Sequence, residues 1–380
     1  MTTRPAAALA RAMVGEPGSR YRLPTPALIV DEAKLDANIA AMAARARGRV
    51  ALRPHAKTHK SAWIAGKQIA RGAVGVCCAK LGEVEALSAA GVRGILLTSP
   101  LADVTAPTRL CEIARVDPDF RCVVDHPEPV TALALEAARR DMRMAVVIDV
   151  DVGLMRTGVA SSSEALALAA HIARFPSLTL AGVQGYGGHW QHIVGYAARR
   201  DAVRAGMTRL ASVVDGMRDN GHRVELVTGG GTGTVQADLE LGVLNELQPG
   251  SYVFMDAQYI DALGEDADGA FATGLWVSSQ VVSANAEPIL TIDAGLKAFA
   301  TDGPAPRPVT APFTDSTYAF FGDEHGAITR PLGTEVRLGD RIELLTPHCD
   351  PTVDRYDHYH VVHGDTVVAI IPIDAARASR

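Results

Sequence analysis

Eight short apolar runs, rich in β-branched residues, punctuate the stretch from about residue 49 to residue 248. They lie near 49–53, 73–77, 94–98, 120–124, 143–150, 179–185, 223–228 and 244–248. All but the last two lead into Ala-rich stretches with helix-spaced apolar residues, namely Ser61–Arg71, Leu81–Ala90, Val104–Ala114, Pro127–Arg140, Ser162–Phe175 and Ala197–Asn220. A strand that returns parallel to its predecessor needs a crossover, and a helix supplies one, so the alternation predicts repeated βα units around a parallel sheet. Eight units over roughly 220 residues suit a (β/α)8 TIM-like barrel, whose usual size is about 250. The expected class is therefore α/β, with an open doubly wound sheet as the alternative. An apolar segment, Ala27–Val30, and a helix, Asp31–Arg47, precede the first unit.

The pattern changes after Gly250. From about Phe271 the runs shorten and alternate (Trp276–Ser283, Pro288–Ile292, Arg341–Leu345, His358–Val362, Thr366–Ile371), with turns at Ala294-Gly295, Leu338-Gly339-Asp340 and His363-Gly364-Asp365. No helix-period pattern interrupts them, which predicts an antiparallel β domain. The expected organisation is an N-terminal arm over 1–25 packing on the β domain, a barrel over 26–265 and the β domain over 266–380.

The 380 residues are 48% hydrophobic and only 21% charged, enough to bury a large core. Net charge is −6 and no Lys/Arg block is interleaved with aromatics, so neither nucleic acid nor an anionic membrane is an expected partner. A small molecule is. The five cysteines are odd in number and lack CxxC spacing, which predicts reduced thiols in a cytoplasmic setting. Neither a signal peptide nor a stretch of ~18 apolar residues is read from the sequence.

In a barrel, residues just beyond the strands share one rim, so polar clusters at strand ends carry the chemistry. The first run ends in Arg53-Pro54-His55-Ala56-Lys57-Thr58-His59-Lys60. An amine there sits beside the ligand pocket, and burial near cations lowers a lysine pKa from ~10.4 toward a nucleophilic range. A basic surface turn is the plain alternative. The fifth run ends in Asp149–Gly158, where Arg156 offers a forked donor to an anionic oxygen. The sixth leads into Gln184–His192, which holds Tyr186, His189 and His192; its histidines suit a base or a ligand. Val227–Thr234 (VTGGGTGT) reads as a phosphate cup of backbone N–H groups, which Gln248-Pro249-Gly250-Ser251-Tyr252 can close. It meets neither GxGxxG nor P-loop spacing.

In the β domain, Thr346–Pro351 places His348 and Asp350 two apart. In an extended segment both face one side, as a divalent cation requires, while Cys349 points away. A hydrogen-bonded turn explains the pair equally simply. Asp357-His358-Tyr359-His360 reads as a strand face rather than a ligand set.

Taken together, these segments resemble fold-type III pyridoxal-phosphate enzymes of the alanine racemase-like superfamily, most closely the metal-dependent D-threonine aldolase and D-serine dehydratase group. The family's PHxKTHK appears as Pro54–Lys60, its DxGxxRxGV as Asp151–Val159, and its phosphate loops as the GGGTGT and PGSYVFMD runs. The resemblance implies pyridoxal 5′-phosphate held covalently by Lys57, with Arg156 at its phenolic oxygen and Tyr186, Gly231, Thr232, Gly250, Ser251 and Tyr252 as further contacts. Where racemases carry arginine beside the pyridine nitrogen, this chain has Gln248; a neutral amide there leaves the nitrogen's protonation to other groups. The dehydratase branch resembles His-x-Cys with zinc and the aldolase branch His-x-Asp. His348-Cys349-Asp350 therefore points to Mn²⁺ or Mg²⁺, with Co²⁺ or Zn²⁺ as further candidates and a one-residue shift onto Cys349 left open.

The implied activity is cleavage of D-3-hydroxy-amino acids, D-threonine or D-allo-threonine, to glycine and an aldehyde, with Lys57 and His192 catalytic and His189 the other candidate base. The rivals are a dehydratase of D-serine or D-3-hydroxyaspartate, a 3-hydroxy-D-aspartate aldolase, a non-catalytic cofactor carrier and a phosphosugar barrel enzyme. The resemblance also implies a homodimer.

Overall fold

A computed structural model describes residues 5–264 and 271–378. The chain divides into two compact units. One comprises Met42–Lys57 and Ser61–Gly250; the other joins Thr58–Lys60 and Ser251–Arg377 to the residues before Met42. The division is not linear along the chain, and the expected boundary at 265/266 lies outside the described residues.

Strand β1 (Ala27–Asp31) belongs to the second unit. The first unit holds eight strands: β2 (Ala51–Leu52), β3 (Cys77–Cys78), β4 (Leu96–Leu97), β5 (Arg121–Val124), β6 (Met144–Asp149), β7 (Leu178–Gly185), β8 (Leu226–Gly229) and β9 (Glu246–Leu247). They pair side by side in the order β2-β9-β8-β7-β6-β5-β4-β3, every pairing parallel. A parallel bridge between His55 and Cys77 joins the two ends of that order and closes the ring. Each strand overlaps an expected run, with β3, β7 and β8 reaching one residue beyond it, and the six expected helices are present with ends shifted by a few residues. Two helices had no periodic signal, Val235–Leu241 and Ala257–Leu263, because seven residues make barely two turns.

Parallel strands covered on both faces need apolar residues throughout, which Met144–Asp149 (MAVVID) supplies. Cys77, Leu96, Val123, Val147 and Leu226 pack with Ala181 as one layer of this core. Helix starts are signalled locally. Ser161 accepts the Glu164 N–H at 3.2 Å while the Glu164 carboxylate takes the Ala160 N–H at 2.8 Å.

The second unit is a mostly antiparallel sheet. Its strands are β1, β10 (Leu275–Ser283), β11 (Ile289–Ile292), β12 (Arg307–Pro308), β13 (Tyr318–Phe320), β14 (Gly326–Thr329), β15 (Arg341–Leu345), β16 (His358–His363) and β17 (Thr366–Pro372). The main path is β13-β14-β11-β10-β1-β16-β17, with β15 pairing β10 and β12. β1 runs antiparallel to β10 but parallel to β16. The N-terminal segment lies along the β17 edge, where the N–H groups of Gly15 and Arg20 donate to Val367 and Asp365 carbonyls and the Arg20 guanidinium grips Glu343 at 2.6 to 2.7 Å. Ala10 and Leu23 complete a core with Ile29, Trp276, Leu345 and Val367. All five cysteines are buried and unbridged. Among the described residues, no helix is long and apolar enough to cross a membrane.

Candidate active site

A belt of buried polar side chains crosses the C-terminal ends of the barrel strands. Directly after β2 and on β9, Arg53 and Glu246 form an ion pair 3.1 Å apart with each side chain only 4% exposed, and Arg53 also donates to the Gly94 carbonyl. Glu246 accepts the Thr228 hydroxyl of β8 at 2.9 Å. Thr228 in turn accepts from Gln248, at 3.0 Å, and Gln248 also donates to Gln184 at the end of β7, at 3.2 Å. Gln184 donates to Asp149, at the end of β6, at 2.9 Å and to the Thr98 carbonyl at 3.0 Å. Burial pushes the Asp149 carboxyl up to about 6, against the hydrogen bonds from Thr157 and Gln184 that pull it down. Of this belt, only Gln248 was singled out from the sequence. The signal for the rest was present, since a polar residue ending an otherwise apolar run has no reason to be buried unless it is paired.

Lys57 follows directly. The Thr98 hydroxyl donates to the Cys78 carbonyl at 3.0 Å, so in the 3.1 Å contact with His55 it is the imidazole Nε2 that donates. That leaves His55 Nδ1 as the acceptor for the Lys57 backbone N–H, 3.4 Å away. The Lys57 side chain is half-buried, with Nζ 5.9 Å from the centroid of the Tyr186 ring. The Arg156 guanidinium carbon lies 5.4 Å from the same ring. Arg156 rides on a loop in which Asp151 takes the Gly153 and Met155 N–H groups at 2.9 Å. Gly158, at φ +101°, lets that loop fold back, because a Cβ there would come within 2.7 Å of the Asp151 nitrogen. Three expected site residues, Lys57, Arg156 and Tyr186, are thus brought together. Of the two loop histidines, His189 is exposed against Trp190 and His192 is half-buried.

The glycine loop is more filled than the cup expected from sequence. The Gly231 N–H donates to the Thr234 hydroxyl at 3.0 Å and the Gly233 N–H to the Gln191 amide oxygen at 2.9 Å. A Cβ on Gly231 would sit 2.5 Å from that same oxygen. The glycines therefore make room for the Gln191 side chain. Beneath, the Thr234 hydroxyl donates to Asp238 at 2.6 Å, and burial pushes the Asp238 carboxyl up to about 7. Gly250 lies at the end of this unit, beyond Pro249, whose carbonyl takes the His55 N–H at 3.0 Å.

In the other unit, Ser251 and Tyr252 open a short 3-10 turn and are both buried. The extended arrangement expected for His348 and Asp350 does not hold. His348 is extended, but it caps a five-residue helix, Cys349–Val353, and Asp350 lies in that helix's first turn. Five residues carry too little period to be read. Asp256 fixes the turn from below, its carboxylate taking the Tyr259 N–H at 2.9 Å and the Cys349 N–H at 2.8 Å. Cys349 is fully buried, and burial together with the Asp256 and Asp350 charges holds its thiol well above its ordinary range. His348 Nδ1 meets Asp302 at 2.9 Å, while Nε2 has no hydrogen-bond partner among the described residues. Asp350 Oδ1 makes long contacts to Ser251 and Cys349, both 3.4 Å. Among the described residues no three His, Cys, Asp or Glu gather as a ligand set. An imidazole nitrogen backed by a carboxylate and one nearby carboxylate fit a hard, exchangeable divalent ion that fills its other positions with water or substrate.

Known proteins share this organisation. Residues 30–258 match the alanine racemase N-terminal domain, and residues 274–362 match a putative serine dehydratase domain. A D-threonine aldolase of Arthrobacter sp. is 36% identical over 94% of both chains. A 3-hydroxy-D-aspartate aldolase of Paracoccus denitrificans (strain Pd 1222) is 32% identical over 92% of both. The crystal structure of D-threonine aldolase from Filomicrobium marinum superposes with a TM-score of 0.90 at 33% identity, covering 95% of this chain and 98% of that one. The chain belongs to the alanine racemase-like, fold-type III pyridoxal-phosphate enzymes, in the group of carbon–carbon lyases that includes D-threonine aldolase.

Proposed function

We propose that this enzyme cleaves D-3-hydroxy-amino acids, with D-threonine or D-allo-threonine as substrate, to glycine and an aldehyde, and that a divalent ion, Mn²⁺ or Mg²⁺, activates it. The observation that carries the reading is the convergence of the Lys57 amine and the Arg156 guanidinium on Tyr186. Pyridoxal phosphate, when bound, supplies the electron sink that carbon–carbon cleavage beside an amine requires. Lys57 holds it covalently and Arg156 donates to its phenolic oxygen. Tyr186 lines the ring, and the loop residues Gly231, Thr232, Gly250, Ser251 and Tyr252 take the phosphate. His192 receives the substrate hydroxyl proton on a ring nitrogen. His348 and Asp350 hold the metal, which supplies positive charge to an alcohol oxygen. The active species is a homodimer.

Asp350 favours cleavage over water elimination, because a carboxylate in place of a thiolate suits an exchangeable ion. Elimination from D-serine or D-3-hydroxyaspartate is the second reading, favoured by the match to a putative serine dehydratase domain. Incubation with D- and L-threonine, D-serine and 3-hydroxy-D-aspartate, with and without Mn²⁺, separates the two. Glycine plus aldehyde from the D-isomer supports cleavage; a 2-oxo acid plus ammonia overturns it, and glyoxylate from hydroxyaspartate reassigns the substrate.

A further inference from the structure

The belt beneath the barrel rim fixes the direction of every hydrogen bond in it. A backbone carbonyl and an ionised carboxylate in an ion pair only accept, so whichever end of an amide meets them is its NH₂. Gln184 meets the Thr98 carbonyl at 3.0 Å and Asp149 at 2.9 Å, so both its amide hydrogens are used there and its own oxygen is left to accept. The carbonyl partner holds this orientation whether or not Asp149 is ionised. On the other side, the Thr228 hydroxyl gives its proton to Glu246, the partner of Arg53, and so offers Gln248 only a lone pair. Gln248 stands between two acceptors, Gln184 Oε1 at 3.2 Å and Thr228 Oγ1 at 3.0 Å. Both hydrogens of its NH₂ are committed. Its Oε1 takes no hydrogen bond from the described residues.

We propose that Gln248 presents a locked amide oxygen, and nothing else, to the bound cofactor's ring nitrogen, and so holds that nitrogen in its protonated form. The inference rests on the pyridoxal-phosphate reading given above. A ring nitrogen beside this oxygen can form a hydrogen bond only by donating, and it can donate only when protonated. A neutral, freely turning amide would leave protonation undecided. This amide cannot turn, because reversing it would set oxygen against oxygen at Gln184. A protonated ring withdraws electrons more strongly, which suits cleavage that leaves charge beside the cofactor. An arginine at the same position donates, and favours the unprotonated ring.

The test is ¹⁵N NMR of the holoenzyme reconstituted with pyridoxal phosphate labelled at the ring nitrogen, read at neutral and mildly alkaline pH, for wild type, Gln248→Glu and Gln248→Arg. The wild-type resonance is expected at the protonated position, Gln248→Glu is expected to keep it there, and Gln248→Arg is expected to move it to the unprotonated position with a loss of kcat. A wild-type nitrogen that is unprotonated at neutral pH, or one that stays protonated in Gln248→Arg, overturns the inference while the cofactor assignment stands. The wild-type spectrum decides by itself if a variant fails to fold. A chain that takes up no pyridoxal phosphate gives no resonance and overturns the underlying reading as well.

Discussion

The Lys57 Nζ lies 5.9 Å from the centroid of the Tyr186 ring, and the two residues follow β2 and β7, which stand three places apart in the barrel's pairing order. The ring gives this half of the site a flat wall with a cation near it. Replacing Lys57 with Ala is expected to remove the visible absorbance of bound cofactor and lower activity by roughly a thousandfold or more. Tyr186→Phe keeps the aromatic face and is expected to retain cofactor affinity, whereas Tyr186→Leu loses about 0.5–2 kcal/mol of cation–π attraction. Fluorescence titration with pyridoxal phosphate measures both; equal affinity in all three proteins would refute the ring's role.

The Arg53–Glu246 pair is buried on both sides, so removing one partner strands a charge. Arg53→Met is expected to lower stability by about 3–5 kcal/mol. Adding Glu246→Leu to the same chain is expected to recover most of that. Urea unfolding of wild type and the single and double variants checks this, and a double variant no more stable than the single one would contradict it.

Asp238 makes stability depend on pH. Its ordinary value is 3.8 and burial raises it to about 7 in the folded chain, so between those values the folded state binds more protons than the unfolded one. Its contribution is fully present below about 4, is lost as pH rises through the window and is constant above about 7. Asp238→Asn keeps an acceptor for the Thr234 hydroxyl and removes the titration. Thermal unfolding at pH 5 and pH 8 is expected to show the variant gaining on wild type at the higher pH. A difference that is the same at both would show that this carboxyl does not titrate as described.

His348 and Asp302 form an imidazole–carboxylate contact, which on the proposed reading would orient His348 toward the metal. His348→Ala and Asp350→Ala are expected to abolish activation by Mn²⁺. Asp302→Asn is expected to weaken Mn²⁺ binding by about 10–100-fold while leaving the metal-saturated rate nearly unchanged. Electron paramagnetic resonance titration of free Mn²⁺ reads the affinity directly, and wild-type affinity in Asp302→Asn would remove that residue from the metal's surroundings.

The eight barrel strands were legible because each sits in a longer apolar run that recurs between helix-period stretches, and Lys57 and Arg156 could be assigned to one rim because their segments stand at strand ends. Strands β12, β13 and β14 and the helix Cys349–Val353 were not, since they are short and no repeating strand–helix unit frames them. For the same reason the sequence placed His348 and Asp350 on one face of an extended segment, whereas one caps a helix and the other begins it.

Local sequence determined which stretches alternate, where strands end and which reactive side chains stand there, because periodicity and turn chemistry act over a few residues. The tertiary structure alone decided which of those ends meet. It brought Lys57 and Arg156 to the same Tyr186 ring, admitted Gln191 into the glycine loop, and joined Asp149, Gln184, Gln248, Thr228 and Glu246 into one directed chain. Hydrogen-bond direction depends on every partner at once, and those partners lie as far as 193 residues apart between Arg53 and Glu246.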